Sequence, residues 1–263
     1  MKRVFSHLPE DVPESIGKFA EGAAVYDSSC SPEAQVFFID SGDGFYLKKA
    51  AKSTLVTEAL MYRFFRCKGL GPELLAYERK ESDWLLTARA KGEDCTDSMY
   101  LADPVRLCDT TAHLLRQLHE TDLAGCPIPD RTAHYMATAQ RNYRKGMFDP
   151  SVLELSYPQM QNIRPEDAWR IAEENGKYLK NDTLLHGDYC LPNIILDNWN
   201  FSGFIDLGCG GAGDRHIDLF WGLWSLQFNL KTDKYRDRFL DAYGREKINP
   251  DLLPVIAAIE TFG

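Results

Sequence analysis

Three oxygen-bearing side chains stand close together in the second half of the chain. Asp188 follows His186 and Gly187 at the end of a short apolar run, residues 183–185. Asn193 comes five residues later. A second apolar run (residues 194–196) then turns through 197–200 and ends at Asp206-Leu207-Gly208. An acid on a loop, an amide carbonyl after it and a second acid at the end of a hairpin can meet around one Mg²⁺ and a hydroxyl awaiting a phosphoryl group. Asn193 and Asp206 are the hard oxygen ligands that Mg²⁺ prefers, with phosphates and waters filling its remaining positions. Asp188 is then the group that accepts or orients the hydroxyl proton. That proton has a high pKa, so it leaves late and no alkoxide forms beforehand. His186 is expected to bond backbone groups of the loop, not to carry protons.

These groups need elements to position them. Residues 20–90 read as strand-rich, with short β-branched or aromatic runs at 23–26, 35–39, 44–48, 74–77 and 84–87 separated by turn residues. A helix is expected from about 54 to 67, capped by Ser53 or Thr54 and ended by Gly69. Five strands and one helix would make a small lobe. Lys48 lies on the third strand, and its neighbour Lys49 must point to the opposite face because strand side chains alternate. Glu58, on the helix, is the natural ion-pair partner that would fix the Lys48 rotamer.

After residues 88–92 the pattern turns helical. Asp103 can cap a helix with Pro104 at its first position, and residues 131–144 and 165–177 give two more. Residues 217–228 are apolar nearly all round, as in an interior helix. A further helix over 234–243 stops at Gly244, and the last runs from Asn249-Pro250 to the C-terminus. The expected organisation is an N-terminal β-rich nucleotide-binding lobe (1–90), a linker near 88–92, and a C-terminal helical lobe (93–263) with the catalytic loop and acceptor site.

His186-Gly187-Asp188 with Leu191-Pro192-Asn193, then Gly203 to Gly208 and Asp214-Arg215, resembles the aminoglycoside 3′-phosphotransferase family. Protein kinases space a base Asp, a metal-binding Asn and a metal-binding Asp before Gly in the same way, with Arg where Gly187 stands. The resemblance implies a protein-kinase-like two-lobed α+β fold, in which a small antiparallel sheet with one helix joins a larger, mainly helical part. It implies ATP as donor, with GTP an alternative, and Mg²⁺ as cofactor. The Tyr46-Leu47-Lys48 spelling marks Lys48 for the α- and β-phosphates. Residues 84–90 fall on the family's hinge, which would set the Ala90 backbone against adenine. The loop 27–32 has serines and no glycine, and Ser31 is its candidate phosphate contact. Asp214, Arg215 and Asp218 are expected to lock the metal-binding loop to the helix behind it, without a chemical role.

The acceptor implied is a cationic aminoglycoside-like molecule. The tail 257–262 is similar to the family's ending, so Glu260 and the terminal carboxylate on Gly263 would face ammonium groups. Residues 144–149 resemble the substrate loop and place Asp149 there. The acids that usually follow are replaced by Pro150, Ser151, Val152 and Leu153, and residues 227–230 are likewise without acids. Trp221, Trp224 and Phe228 could meet a cation through their ring faces. Their helical spacing reads first as core.

Composition sets limits. At 263 residues the chain can bury a substantial core. A net charge of −9 without a Lys/Arg block disfavours a nucleic-acid partner. No apolar run approaches the roughly 20 residues that cross a bilayer, so no membrane partner is expected. The N-terminus has basic residues but no secretory apolar stretch. Seven scattered cysteines form no CxxC pair, which suits a reducing cytoplasm. A monomer or weak dimer is expected. The leading reading is a phosphotransferase acting on an antibiotic hydroxyl. Two others remain open: a same-fold kinase of another small alcohol or metabolite sugar, and a nucleotide-binding module without turnover. A metal-dependent hydrolase would need more histidine ligands than six scattered ones offer.

Overall fold

A computed structural model describes residues 4–263; Lys2 and Arg3, two of the basic N-terminal residues, lie outside it. The chain divides into two compact units. One takes the chain up to Lys91 together with Ser202–Gly208, and the other takes Gly92–Phe201 and Cys209–Gly263.

The first unit is a six-stranded antiparallel sheet in the order β1-β2-β3-β4-β6-β5. Its strands are β1 (Val4–Ser6), β2 (Ala24–Asp27), β3 (Ala34–Asp40), β4 (Phe45–Ala51), β5 (Leu74–Arg79) and β6 (Ser82–Ala88). Five of the six match the expected runs; β1 is the addition, an edge strand too short to show a period. One face of the sheet buries Val25, Phe37, Ile39, Leu47, Trp84 and Leu86 with Ile16 of the short helix α1 (Glu14–Gly17). Helix α2 (Val56–Cys67) packs beside β5.

Neither Ser53 nor Thr54 caps α2. Leu55 stands at the cap without a side-chain bond, Ser53 is left-handed at φ +70°, and the Thr54 hydroxyl donates back to Ala51 O at 2.6 Å. The capping oxygens come instead from Asp83 on β6. Its fully buried carboxylate accepts from Ser53 N and Leu55 N, each at 2.9 Å. A cap can come from anywhere that delivers an acceptor to the orphan N–H groups. The other end follows expectation: Gly69 is left-handed (φ +71°), and Leu70 N returns to Phe65 O at 2.8 Å.

Ser202–Gly208 returns to this unit through long-range contacts that a linear division at residues 88–92 does not contain. Phe204 N donates to Leu70 O at 2.8 Å, and the Phe204 ring meets Phe65 edge-on at 6.3 Å.

In the second unit β7 (Glu93–Asp94) pairs with β9 (Ile194–Asp197), which turns at Asn198 and Trp199 into β10 (Asn200–Phe204), a strand whose residues from Ser202 on count with the first unit. Strand β8 (Thr183–Leu185) pairs with β11 (Gly211–Gly213). The helices are α3 (Ser98–Leu101), α4 (Pro104–His119), α5 (Arg131–Arg144), α6 (Ser151–Ser156), α7 (Pro165–Asn175), α8 (Arg215–Leu230), α9 (Arg236–Tyr243) and α10 (Leu252–Glu260). Asp103 caps α4 by accepting from Arg106 N at 3.1 Å, with Pro104 at the first position as expected. Helix α10 lies against α7 and α8. Most of α8 is buried, but Trp221 and Trp224 are only partly covered and Phe228 is exposed, so the aromatic stripe is not simply core. Among the described residues no helix is long and apolar enough to cross a membrane.

Candidate active site

In the first unit, β4 and α2 set Lys48 and Glu58 facing each other, and the returning segment adds Asp206. Lys48 Nζ lies 2.9 Å from Glu58 Oε2 and 2.8 Å from Asp206 Oδ1. Lys49 points the other way, to Asp11 at 2.7 Å and over the Trp84 ring. Burial works against the Lys48 charge, but the two carboxylates outweigh it and hold the ammonium pKa above its ordinary value. Glu58 is 3% exposed; burial, with Asp206 nearby, raises its carboxyl pKa against the pull of Lys48. Asp206 itself is half exposed, and its backbone is left-handed at φ +58°. That conformation costs energy in any residue with a Cβ, though least in Asp and Asn. Asp206 N donates to the buried Tyr62 hydroxyl at 3.1 Å, which fixes the turn.

In the second unit, β8 delivers the loop 186–193. Fully buried Asp218 of α8 accepts from His186 N at 2.8 Å and from Gly187 N at 2.7 Å. His119 donates to the same carboxylate from Nε2 at 3.1 Å, and its Nδ1 accepts from the Tyr243 hydroxyl at 2.8 Å. Burial lowers the His119 pKa, which agrees with this neutral tautomer. Asp214 accepts instead from Lys180 N, from His216 N and from the His216 ring. Asp218 therefore secures the loop of Asp188, and Asp214 the segment before β8. Of the three residues expected to lock the metal-binding loop to the helix behind it, Asp218 holds the loop that carries Asn193, whereas Asp214 and Arg215 bond Lys180 and Thr183. Glycine is obligatory at 187: φ is +83°, and a Cβ would lie 1.9 Å from Cys209 O.

The loop presents Asp188 by internal bonds. Asp188 N donates to His186 Nδ1 at 3.2 Å, the structural duty expected of that histidine. Asn193 Nδ2 donates to Asp188 O at 2.9 Å and to Asp188 Oδ2 at 3.0 Å. Its amide oxygen has no hydrogen-bond partner among the described residues. That leaves one hard oxygen on Asn193, of the kind Mg²⁺ prefers; in the first unit, the half-exposed carboxylate of Asp206 is another oxygen donor of that kind.

The C-terminal tail is tied to the second unit by Asn142 Nδ2, which donates to Phe262 O, and by Asp149 N, which donates to Thr261 O, both at 2.8 Å. Asp149 meets the tail through its backbone. Its exposed carboxylate accepts from Ser151 N at 2.9 Å, and bonding to Ser151 lowers its pKa. Glu260 Oε1 accepts from Tyr135 Oη at 2.9 Å and from Trp221 Nε1 at 2.8 Å. Burial pushes its carboxyl up to about 7 against those two bonds, and the charge of Asp188 adds to the rise. Gly263 is exposed at the chain end.

The structure thus joins Lys48, Glu58 and Asp206 in one unit, and Asp188 with Asn193 in the other. Ser31 is exposed and bonds Glu33, whereas the loop 27–32 is tied by Ser29, whose Oγ accepts from Val36 N at 2.9 Å. Ala90 follows β6, beyond Arg89, whose N–H donates to Gly44 O at 3.1 Å. Tyr135 and Trp221 as Glu260 partners, and His119 behind Asp218, had no local signal in the sequence. A cavity of about 590 Å³ in the second unit, walled by Tyr178, Lys180, Arg215, Lys247 and Asn249, contains neither Asp188 nor Asn193.

Comparison with known proteins adds to this geometry. The model of the family described as "Phosphotransferase enzyme family" matches residues 32–256. A probable aminoglycoside 3′-phosphotransferase of Lactococcus lactis subsp. lactis is 49% identical over 97% of this chain and 96% of its own. A streptomycin 3″-kinase of Streptomyces griseus is 32% identical over 69% of this chain and 68% of its own. Among solved structures, an aminoglycoside phosphotransferase of Streptomyces rimosus superposes with a TM-score of 0.74 at 22% identity, covering 94% of each chain. The α+β, protein-kinase-like fold expected from the sequence is the fold of this chain.

Proposed function

This chain belongs to the phosphotransferase enzyme family, and we propose that it transfers the γ-phosphoryl group of ATP to a hydroxyl of an aminoglycoside. The observation that carries the choice of acceptor is the 49% identity, over nearly the whole of both chains, to a relative named for that activity.

The residues divide the work in a way that suits a loose transition state, where positioning and charge do most of the catalysis. Lys48 has three N–H donors; two meet Glu58 and Asp206, and the third is left for a phosphate oxygen. Glu58, locked in the interior, keeps that ammonium on its strand. Asp188 orients the acceptor hydroxyl and takes its proton late. Asn193 and Asp206 would hold Mg²⁺, which when bound neutralises charge on the phosphates. Ala90 and Ser31 are the proposed backbone contact to adenine and loop contact to phosphate. Glu260 and Asp149 supply negative charge for acceptor ammonium groups, with Gly263 a further proposed contact.

A coupled assay of ADP release against a panel of aminoglycosides and small alcohols tests the reading. Aminoglycosides should accelerate ADP release, with NMR of the product giving the hydroxyl modified. Acceleration by a metabolite alcohol alone would favour the second reading, a same-fold kinase of another alcohol. The loss of acids at residues 150–153 and 227–230 supports that alternative.

A further inference from the structure

We infer that Trp221, Trp224 and Phe228 on α8 form an aromatic shelf that receives an ammonium-bearing ring of the acceptor, with Phe228 as its outer, cation-binding face. The inference rests on the proposed aminoglycoside reading and deepens it.

The shelf begins at Glu260, one of the proposed acceptor contacts. Trp221 donates its indole N–H to Glu260 Oε1 at 2.8 Å. From there the rings continue along the helix. Trp221 meets Trp224 edge-on at 5.6 Å, and Trp224 stacks on Phe228 at 4.9 Å with planes 8° apart. Phe228 is 47% exposed, although an apolar ring of that size ordinarily turns inward. Gln227, next to it, is pinned by donating to Leu155 O of α6 at 2.8 Å, so this turn of α8 is braced.

A second, independent observation identifies the ligand chemistry. The chain's own ammonium already sits on the outer ring: Lys231 Nζ lies 4.0 Å from the Phe228 centroid. Lys231 is the left-handed residue that ends α8, so its reach is short and local. Its placement shows that this face accepts a cation through the ring quadrupole. An acceptor ammonium would compete with it.

The test uses the full-length protein with kanamycin and streptomycin as probes. Phe228→Leu should raise the acceptor KM about 3- to 30-fold, the range of a desolvated cation–π contact, with kcat and the ATP KM unchanged. Phe228→Tyr should restore the parent KM, and Lys231→Gln should lower it. In ¹³C-lysine-labelled protein, the ring-shifted Lys231 ε-methylene signal should move toward its free position as acceptor is added. Turnover with a fixed Lys231 signal and an acceptor KM untouched by Phe228→Leu would overturn the shelf and leave the reaction standing. A moving Lys231 signal without turnover of either antibiotic would keep the shelf and overturn the reaction.

Discussion

Two groups of charged residues serve the proposed chemistry, and they are held by different forces. Around Lys48 the bonds run from side chain to side chain, between an ammonium and two carboxylates, one buried and one half exposed. Around Asp188 they run from backbone to side chain: a buried aspartate of α8 takes two consecutive loop N–H groups, the second from a glycine that has no alternative. Side-chain pairs can exchange partners when phosphate or a cation arrives. Backbone bonds to a buried carboxylate cannot be exchanged without opening the loop. The first arrangement suits a group that must let go and rebind. The second suits one that must stay within a few tenths of an ångström of its working position.

Breaking the chemistry at its centre should give the largest effect. Asp188→Ala removes the group that meets the hydroxyl, and turnover should fall about 10²- to 10⁴-fold while ATP affinity is preserved. Calorimetric titration with ATP beside the ADP-release assay would separate the two. Equal rates in mutant and parent would remove Asp188 from its role.

Breaking the frame behind the loop should show as instability as well as lost rate. In Asp218→Ala two backbone N–H groups and the His119 ring lose their acceptor, and each buried donor left unsatisfied costs about 1–3 kcal/mol. A urea midpoint matching the parent would show that the loop holds itself. Asp218→Asn, which keeps one carbonyl acceptor, should fall between the two.

At the other cluster the order is reversed. Lys48→Met should cost about 10²–10³ in kcat/KM for nucleotide, as removal of one positioned donor to the transferring group commonly does. Stability should change far less than in Asp218→Ala, because Glu58, whose pKa already stands above its ordinary value, can take a proton once the ammonium is gone. A Lys48→Met protein that unfolds as readily as Asp218→Ala would collapse the distinction between the two clusters.

The same distinction explains what was legible in the sequence. Strand alternation put Lys48 and Lys49 on opposite faces in advance, while the choice of Lys48, with Glu58 on the following helix as its partner, came with the family resemblance. Asp188 and Asn193 were legible by their separation along one loop. The partner that caps α2 was not, since Asp83 is supplied 28 residues downstream through strand pairing. Nor were the particular N–H groups that Asp218 accepts from, which depend on where α8 passes β8. The membership of Ser202–Gly208 in the first unit rests on bonds to Leu70, Lys48 and Tyr62 and on a buried ring, none of them visible as a pattern. Aromatic spacing on α8 suggested core because period alone cannot show that the helix emerges near Phe228.

Glu260 lies between these extremes, a carboxylate held by two neutral donors, and it should give the smallest effect and the finest test. Its folded pKa of about 7 stands above the 4.5 of a free glutamate. Below pH 4.5 both folded and unfolded chains carry the proton and the residue contributes nothing to the pH dependence. Between 4.5 and 7 the folded protein keeps a proton that the unfolded chain has released, so folding takes one up and stability falls as pH rises. Above 7 the penalty of the buried charge is complete. Urea midpoints measured from pH 5 to 8 should therefore decline more steeply in the parent than in Glu260→Gln. An aminoglycoside ammonium paired with the ionised carboxylate would oppose that decline, and its binding near pH 6.5 should release protons, visible as a buffer-dependent heat. Parallel midpoint curves with no buffer dependence would mean that Glu260 titrates as an ordinary surface acid. It would then hold the tail through Tyr135 and Trp221 without taking part in recognition of the acceptor.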